Sequence, residues 1–389
     1  MKIKEIVKIK IDSVAFGGEG VGRIDNFVAF IPFSAPGDEL EIEITQLKKK
    51  FVRGRILKII KESPLRVKPL CRYYEKCGGC CYQHLNYEYQ LKVKKKQVQD
   101  AFWKIGKMAD AHVLDVIASP KIYNYRGKAQ YHAENISKGW AIGFLDVSGG
   151  KIVDIERCEI MEETINEEMV ALREDKRSKY NKKDLTIWSE CFSREANEKE
   201  SIIRVVKGKK FLVPRDGFFQ ANLYLTDKLV DEICRLAASD KLDALIDAYC
   251  GSGLFSVFLS SFAENIIGIE INEKSVKYAR INAANAGAGN AKFISGDIEK
   301  VLQKRFLPSG CKADLIVLDP PRTGCEKTVL KAIVDLRPRK VIYISCNPAT
   351  QARDVKFLKD YDYDLRCLLP LDMFPQTEHI EVVGLLERR

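Results

Sequence analysis

The sequence predicts a multi-domain α/β chain. An OB-like β-barrel is expected first, then a mixed α+β central region with a cysteine cluster, then a Rossmann-type domain. Three observations predict this. Residues 1–60 alternate apolar and charged side chains in short runs broken by glycine turns, residues 71–81 gather cysteines and glycines, and from about 218 apolar runs alternate with helical stretches. A chain of 389 residues also exceeds one ordinary core. Domains are expected at 1–62, 63–217 and 218–389.

In the front segment, Val7-Lys8-Ile9-Lys10-Ile11 and Leu40-Glu41-Ile42-Glu43-Ile44 show the period of two that half-buried strands require. The glycine-rich run Phe16 to Arg23 and Pro36-Gly37-Asp38 read as turns. Short strands at this density fit a small OB-type barrel, a fold often used on nucleic acids. Charge points the same way. Residues 216–389 hold 23 Lys and Arg against 24 Asp and Glu, so the net charge of +10 arises entirely in residues 1–215. Neutralising phosphates releases counterions, which makes nucleic acid the natural partner of such an asymmetry. Lys48, Lys49 and Lys50 with Arg53 and Arg55 are candidate phosphate contacts. A merely solvated charged face is the bland alternative.

Behind the barrel, Cys71-x5-Cys77-Gly78-Gly79-Cys80 offers three thiols close together, and Cys158 a fourth, with Cys81 as the main rival ligand. On coordination chemistry alone, four sulfurs suit zinc or an iron–sulfur cluster. Twelve cysteines with no export signal point to reduced thiols, metal ligands or catalysis rather than disulfides. A basic helix is expected from Tyr87 to Trp103, carrying Lys92, Lys94, Lys95 and Lys96. Residues 108–215 read as mixed α+β: strand-like pieces at Ala129–His132 and Trp140–Phe144 surround a charged helical stretch near 161–177. No stretch approaches the ~20 apolar residues of a membrane span. The opening Met1-Lys2-Ile3-Lys4-Glu5 lacks the apolar core of a signal peptide, so a cytoplasmic location is expected.

In the last segment, Leu245–Tyr249, Ile266–Glu270, Leu315–Asp319 and Val341–Ile344 read as buried parallel strands. Ligands of such sheets sit outside the carboxyl ends of the strands, where the polar residues of interest lie. Asp247-Ala248-Tyr249-Cys250-Gly251-Ser252-Gly253 follows the first strand, and its glycines let the backbone approach a ligand. It is not a G-x-G-x-x-G dinucleotide fingerprint, because Ser256 takes the third glycine position. Glu270 ends the next strand, where an acid can hold both hydroxyls of a ribose. Asp297, in Ser295-Gly296-Asp297, can accept from an adenine amino group. Together these three elements resemble the S-adenosylmethionine site of Rossmann methyltransferases.

The chemistry half holds Asp319-Pro320-Pro321-Arg322, then Ser345-Cys346-Asn347-Pro348, then Asp372-Met373-Phe374-Pro375-Gln376-Thr377-Glu378-His379-Ile380-Glu381. Methyltransferases acting on base amino groups carry an Asp/Asn-Pro-Pro-aromatic motif and need no cysteine. Here Arg322 follows the prolines and Cys346 closes the next strand. Carbon 5 of a pyrimidine is a poor nucleophile until a thiolate adds to carbon 6 and makes an enolate. A base must then remove the carbon-5 proton so that the thiol can leave. Cys346 and Glu381 suit these two tasks.

These motifs, with Phe218-Phe219-Gln220-Ala221-Asn222, resemble the RNA uracil-C5 methyltransferase family over essentially the whole chain. The resemblance implies an S-adenosylmethionine-dependent enzyme whose residues 1–60 form a TRAM domain, an OB-like RNA-binding module. It implies Cys346 as nucleophile and Glu381 as proton acceptor. Gln220, Tyr249, Glu270 and Asp319 match positions lining the cofactor and uracil site, with Asp297 beside them, and Phe218 would stack on a flipped base. The cysteine spacing resembles the family's [4Fe-4S] site, with Cys71, Cys77, Cys80 and Cys158 as ligands. TRAM domain and cluster together resemble the branch acting on 23S rRNA, although similar architecture also serves the tRNA T-loop. Leu254 departs from the pattern, since some members carry Asn there beside the cofactor. The expectation is thus a monomer acting on RNA; base-amine methylation and non-catalytic RNA binding are the alternatives.

Overall fold

The computed structural model describes the chain except residues 137–138, 175–183, 190–199, 239–241 and 307–311. The chain forms two compact units, each assembled from three stretches. The first comprises Met1–Gln97, Lys121–Ile187 and Phe374–Glu378; the second comprises Val98–Pro120, Trp188–Met373 and His379–Arg389. No helix among the described residues is long and apolar enough to cross a membrane.

The first unit opens with a closed barrel of β1 (Ile6–Val14), β2 (Gly20–Ile24), β3 (Phe27–Ile31), β4 (Glu39–Leu47) and β5 (Phe51–Lys61), in the order β1-β2-β3-β5-β4. The alternation in sequence becomes an inside and an outside: Ile9, Ile11, Ala29, Ile31, Leu40, Ile42 and Val52 fill the interior. Asp38 is buried there, and accepts from the backbone of Ala35 at 2.6 Å and of Ser63 at 2.9 Å while pairing with Arg66 at 2.7 Å. A buried carboxylate is tolerated only with such partners. Outside, Arg53 pairs with Glu19 and Arg55 with Glu43, so those two candidate phosphate contacts are already engaged by carboxylates. Lys48, Lys49 and Lys50 stand exposed between β4 and β5.

The basic helix α1 spans Tyr87–Lys104. The central sheet has the order β8-β7-β6-β9, from β6 (Lys128–Ile136), β7 (Gly139–Leu145), β8 (Ile152–Asp154) and β9 (Asp184–Trp188). Helix α2 (Glu163–Glu174) contributes Ile165 and Met169 to a core shared with Tyr131 and Ile142. It occupies most of the charged stretch expected near 161–177, of which 175–177 lie outside the described residues.

In the second unit a hairpin of β10 (Ser201–Val206) and β11 (Lys209–Pro214) precedes a seven-stranded sheet. Helix α3 (Leu223–Ala237) leads into β12 (Leu242–Ala248), α4 (Leu254–Leu259), β13 (Ala263–Glu270), α5 (Glu273–Asn285), β14 (Ala291–Ser295) and α6 (Ile298–Val301). Then come β15 (Leu315–Leu318), α7 (Lys327–Leu336), β16 (Lys340–Ser345), α8 (Pro348–Lys359), β17 (Tyr363–Leu371) and β18 (Glu381–Arg388). The sheet order is β14-β13-β12-β15-β16-β18-β17, parallel through β16 and antiparallel at β18 and β17. Leu315–Leu318 is buried at every residue, as a parallel strand covered on both faces must be. The outer edge of β17 is partly covered by Val113 and Ile117, which bridge to Leu368 and Leu371.

Candidate active site

The cofactor end is built at the carboxyl ends of β12 and β13. Tyr249 has a positive φ of 67°, a conformation unusual for a bulky residue, and turns the chain out of the sheet. Gly251 follows at φ 52°, and a Cβ there would meet no atom within 4 Å, so open space adjoins the turn. Gly253 begins α4 at φ 84°, where an added Cβ would lie 3.2 Å from Ala279 and from Phe293. Glu270 is fixed by two backbone donors, Gly251 N–H at 3.2 Å and Asn272 N–H at 2.8 Å. Asp297 is exposed and caps α6, accepting from Lys300 N–H at 3.1 Å. Leu254 is buried as the first residue of α4.

Asp247, one residue before the end of β12, is fully buried. One carboxylate oxygen accepts from Ser256 N–H at 2.9 Å and Ser256 O–H at 2.6 Å; the other has no partner. Burial pushes its carboxyl up to about 7 against those bonds, with the charge of Glu270 adding to the rise. Asp319 is also raised, first by burial and then by Asp247. An unpartnered buried oxygen, neighbouring carboxylates and an open glycine turn suit a ligand that carries positive charge and a ribose. These residues fit S-adenosylmethionine.

Gln220 is buried next to Phe219, whereas Phe218 is 66% exposed. Asn222 holds this segment, donating to Ser119 Oγ at 2.9 Å and to the Met373 carbonyl at 3.3 Å. The Asn of the F-x-Q-x-N pattern is therefore a buried fastening for the residues before it.

The chemistry end follows from strand register. β16 and β18 are antiparallel with Ser345 paired to Val382, so the next step along the ladder sets Cys346 opposite Glu381. Asp319 ends the adjacent strand β15. Cys346 is half-buried and Glu381 buried. Burial pushes the Cys346 thiol up to about 11; Glu381 and Asp319 add to this, while Arg322 opposes it by charge and by a side-chain hydrogen bond. Glu381 is raised well above the usual carboxylate range by burial and then by Asp319, again opposed by Arg322. Arg322 also lies 2.8 Å from His379, Nη2 to Nε2. One guanidinium thus serves a thiol and a carboxylate that both resist ionisation. Such a thiol becomes a nucleophile when it loses its proton, and a carboxyl held high is a stronger proton acceptor than an ordinary one.

The structure brings Cys346, Glu381 and Asp319 into one electrostatic neighbourhood, and Glu270 with Asp247 into another joined to it through Asp319. Two residues had no role assigned from sequence. Arg322 had a signal, its place directly after Asp319-Pro320-Pro321. Asp247 had one too, as the acid opening the glycine motif.

The cysteine cluster lies within the first unit. Cys71 N–H donates to Gln83 at 3.1 Å, and Cys158 is held on both sides by Asn166, at 2.9 and 3.2 Å. Burial raises all four thiols; Cys158 reaches about 12. Charges at Cys158, Cys77 and Cys71 raise Cys80 further, and those at Cys77 and Cys71 raise Cys158. Among the described residues, no group of three or more His, Cys, Asp or Glu side chains is closed tightly enough to hold a metal ion as placed. The four thiols nevertheless form one mutually repelling set, whose donor chemistry fits a soft, positively charged group. For Cys81 the strongest influences after burial are Glu378 and Lys94, with Cys80 adding to the rise.

Residues 195–389 match the family model described as tRNA (uracil-5-)-methyltransferase, and residues 2–57 match the TRAM domain. A protein of Halalkalibacterium halodurans, named an uncharacterized RNA methyltransferase, is 32% identical over 98% of this chain and 97% of its own length. One of the same name from Fusobacterium nucleatum is 34% identical, over 100% and 97%. The crystal structure of Pyrococcus abyssi tRNA (uracil-54, C5)-methyltransferase with S-adenosyl-L-homocysteine aligns at a TM-score of 0.69 and 27% identity, covering 98% of this chain and 100% of that one.

Proposed function

We propose, since the chain belongs to the tRNA (uracil-5-)-methyltransferase family and is thus an S-adenosylmethionine-dependent RNA methyltransferase, that it methylates carbon 5 of a specific uridine through a covalent adduct on Cys346. The observation that carries this reading is the ladder that ends at Ser345 and Val382, next to Cys346 and Glu381, with Arg322 acting on both.

S-adenosylmethionine, when bound, supplies an electrophilic methyl group. Gln220, Tyr249, Glu270, Asp297 and Asp319 line the cofactor and uracil site, and exposed Phe218 stacks on the flipped base. The Cys346 thiol gives its proton to water and its sulfur bonds to carbon 6, moving the electron pair onto the uracil as an enolate. Arg322 stabilises the thiolate by charge and hydrogen bond. Once carbon 5 is methylated, Glu381 removes its proton, the 5,6 double bond re-forms and the carbon–sulfur bond breaks. Cys71, Cys77, Cys80 and Cys158 would hold a [4Fe-4S] cluster that braces their loop, and no step of the reaction passes through it.

The basic residues 1–215 supply phosphate contacts. The favoured substrate is 23S rRNA and the favoured setting a cytoplasmic monomer, by the TRAM domain and cysteine spacing. A second reading, methylation of the tRNA T-loop, is favoured by the likeness to the Pyrococcus abyssi enzyme, which acts on tRNA uracil-54. Mapping 5-methyluridine in rRNA and tRNA of cells with and without the protein separates the two. The mechanism is tested with RNA carrying 5-fluorouridine, from which Glu381 cannot remove a proton at carbon 5. With S-adenosylmethionine present, the protein should form a stable covalent adduct mapped to Cys346. Absence of any adduct would overturn the reading.

A further inference from the structure

Helix α8 begins two residues after Cys346, and its first turns grip the loop that carries Arg322. Asn347 Nδ2 and Thr350 Oγ1 both donate to the Arg322 carbonyl at 3.1 Å. Arg353 Nη2 donates to the Thr323 carbonyl at 3.0 Å and to the Cys325 carbonyl at 3.3 Å. Arg353 Nε is itself held by Asp354, at 2.7 Å. The other Asp354 oxygen accepts from Cys325 N–H at 2.8 Å and from the Tyr343 hydroxyl at 2.6 Å. Every backbone carbonyl so gripped lies within three residues of Arg322.

Gly324 makes this approach possible. It has φ 76°, and a Cβ at that position would sit 2.5 Å from Asp354 Oδ2 and 2.7 Å from Arg353 Nη2. The glycine is thus required both for its backbone conformation and for clearance. Arg353 is half-exposed and bonds no residue of the thiol site directly; its influence there runs through the loop backbone.

We propose that Arg353 is a positioning residue: by tying Thr323 and Cys325 to the helix that follows Cys346, it aims the Arg322 guanidinium at the Cys346 sulfur. The proposal rests on the reading of Cys346 as nucleophile. Among the described residues, the charges that act most strongly on that thiol are Glu381, Arg322 and Asp319, and of these Arg322 is the cation. Losing Arg353 frees two carbonyls to water, which loosens the loop. The guanidinium then spends less time at the sulfur, and the thiolate loses part of its support.

The test is a double-mutant cycle on the full-length protein, with Arg353→Met, Arg322→Met and the pair. The first readout is the pH profile of iodoacetamide labelling at Cys346, quantified by mass spectrometry of its peptide. The second is kcat and KM on RNA. Arg353→Met should move the labelling midpoint up by roughly 0.5–1 pH unit and lower kcat by roughly 10- to 100-fold with little change in KM. In the Arg322→Met background it should move the midpoint no further. An unmoved midpoint and kcat would overturn the proposal. So would an equal shift in both backgrounds, which would mean that Arg353 acts on the fold at large. If Arg353→Met melts early, Arg353→Lys replaces it in the cycle and is held to the same two criteria, because it cannot reproduce the paired carbonyl contacts. A wild-type protein that fails to trap 5-fluorouridine RNA sinks the nucleophile reading instead, and leaves the labelling cycle readable.

Discussion

The half-buried thiols of the cysteine cluster and the half-buried Cys346 face opposite surroundings. Cys71, Cys77, Cys80 and Cys158 are raised by burial and then chiefly by anionic neighbours, mostly one another. The cation acting on Cys71 is Arg72, which is exposed and already paired with Glu156. Cys346 is raised by burial too, but one guanidinium is hydrogen-bonded to it, and Glu381 shares that cation. The difference teaches how to tell a ligand set from a nucleophile. Four thiols that hinder one another's ionisation need an external positive charge, whereas a single thiol with a built-in cation needs only a substrate.

The comparison can be broken at several points. Cys346→Ala should abolish both adduct and turnover, a loss on the order of 10,000-fold or more, measured by methyl incorporation into RNA. Glu381→Gln should slow product release by roughly 100- to 10,000-fold while letting methylated adduct accumulate on a gel. Free product formed at the normal rate would remove Glu381 from the mechanism. Arg322→Met should cost roughly 100-fold in kcat. It should also raise the labelling midpoint of Cys346, because the thiolate is the reactive form and its supporting cation is gone; reactivity at any fixed pH below about 11 therefore falls. Cys80→Ser should lose bound iron and lower the melting temperature by roughly 5 °C. Cys81→Ser should keep the iron, since Glu378 and Lys94 act on Cys81 more strongly than Cys80 does. Iron retained in the first variant and lost in the second would exchange their roles.

Much of this was legible in the sequence, and the remainder was hidden for physical reasons. The parallel strands announced themselves as runs of Leu, Ile and Val, and the barrel by its alternation, because burial on two faces or on one leaves those two patterns. Glu270 and Cys346 stood out in the sequence because strand ends are where such sheets place ligands. Strands β17 and β18 escaped: their charged ends, Glu381 and Arg388 among them, blur the apolar run. With them escaped the register that explains why Cys346 and Glu381 meet. The grip of Arg353 and Asp354 on Thr323–Cys325 joins residues 28 to 30 positions apart through backbone atoms, which carry no residue identity to read. Val98–Pro120 belongs with the second unit although α1 runs unbroken across Gln97, since no break in helical periodicity marks the change.

The pairing of Ser345 with Val382 has one more consequence. It makes the hydrogen-bond ladder, and not the segment between β17 and β18, the ruler that locates the base. A slip of one rung would bring Val382 opposite Cys346 and turn the facing side chains to the other side of the sheet. A proton acceptor would then be replaced by a hydrocarbon, with nothing near the sulfur to drain the adduct. Lengthening or trimming that segment would leave the ruler unmoved, yet it would unseat the Met373 carbonyl that holds Asn222 and the His379 ring beside Arg322. The ladder sets where the base stands, and the segment sets how firmly its neighbours are held.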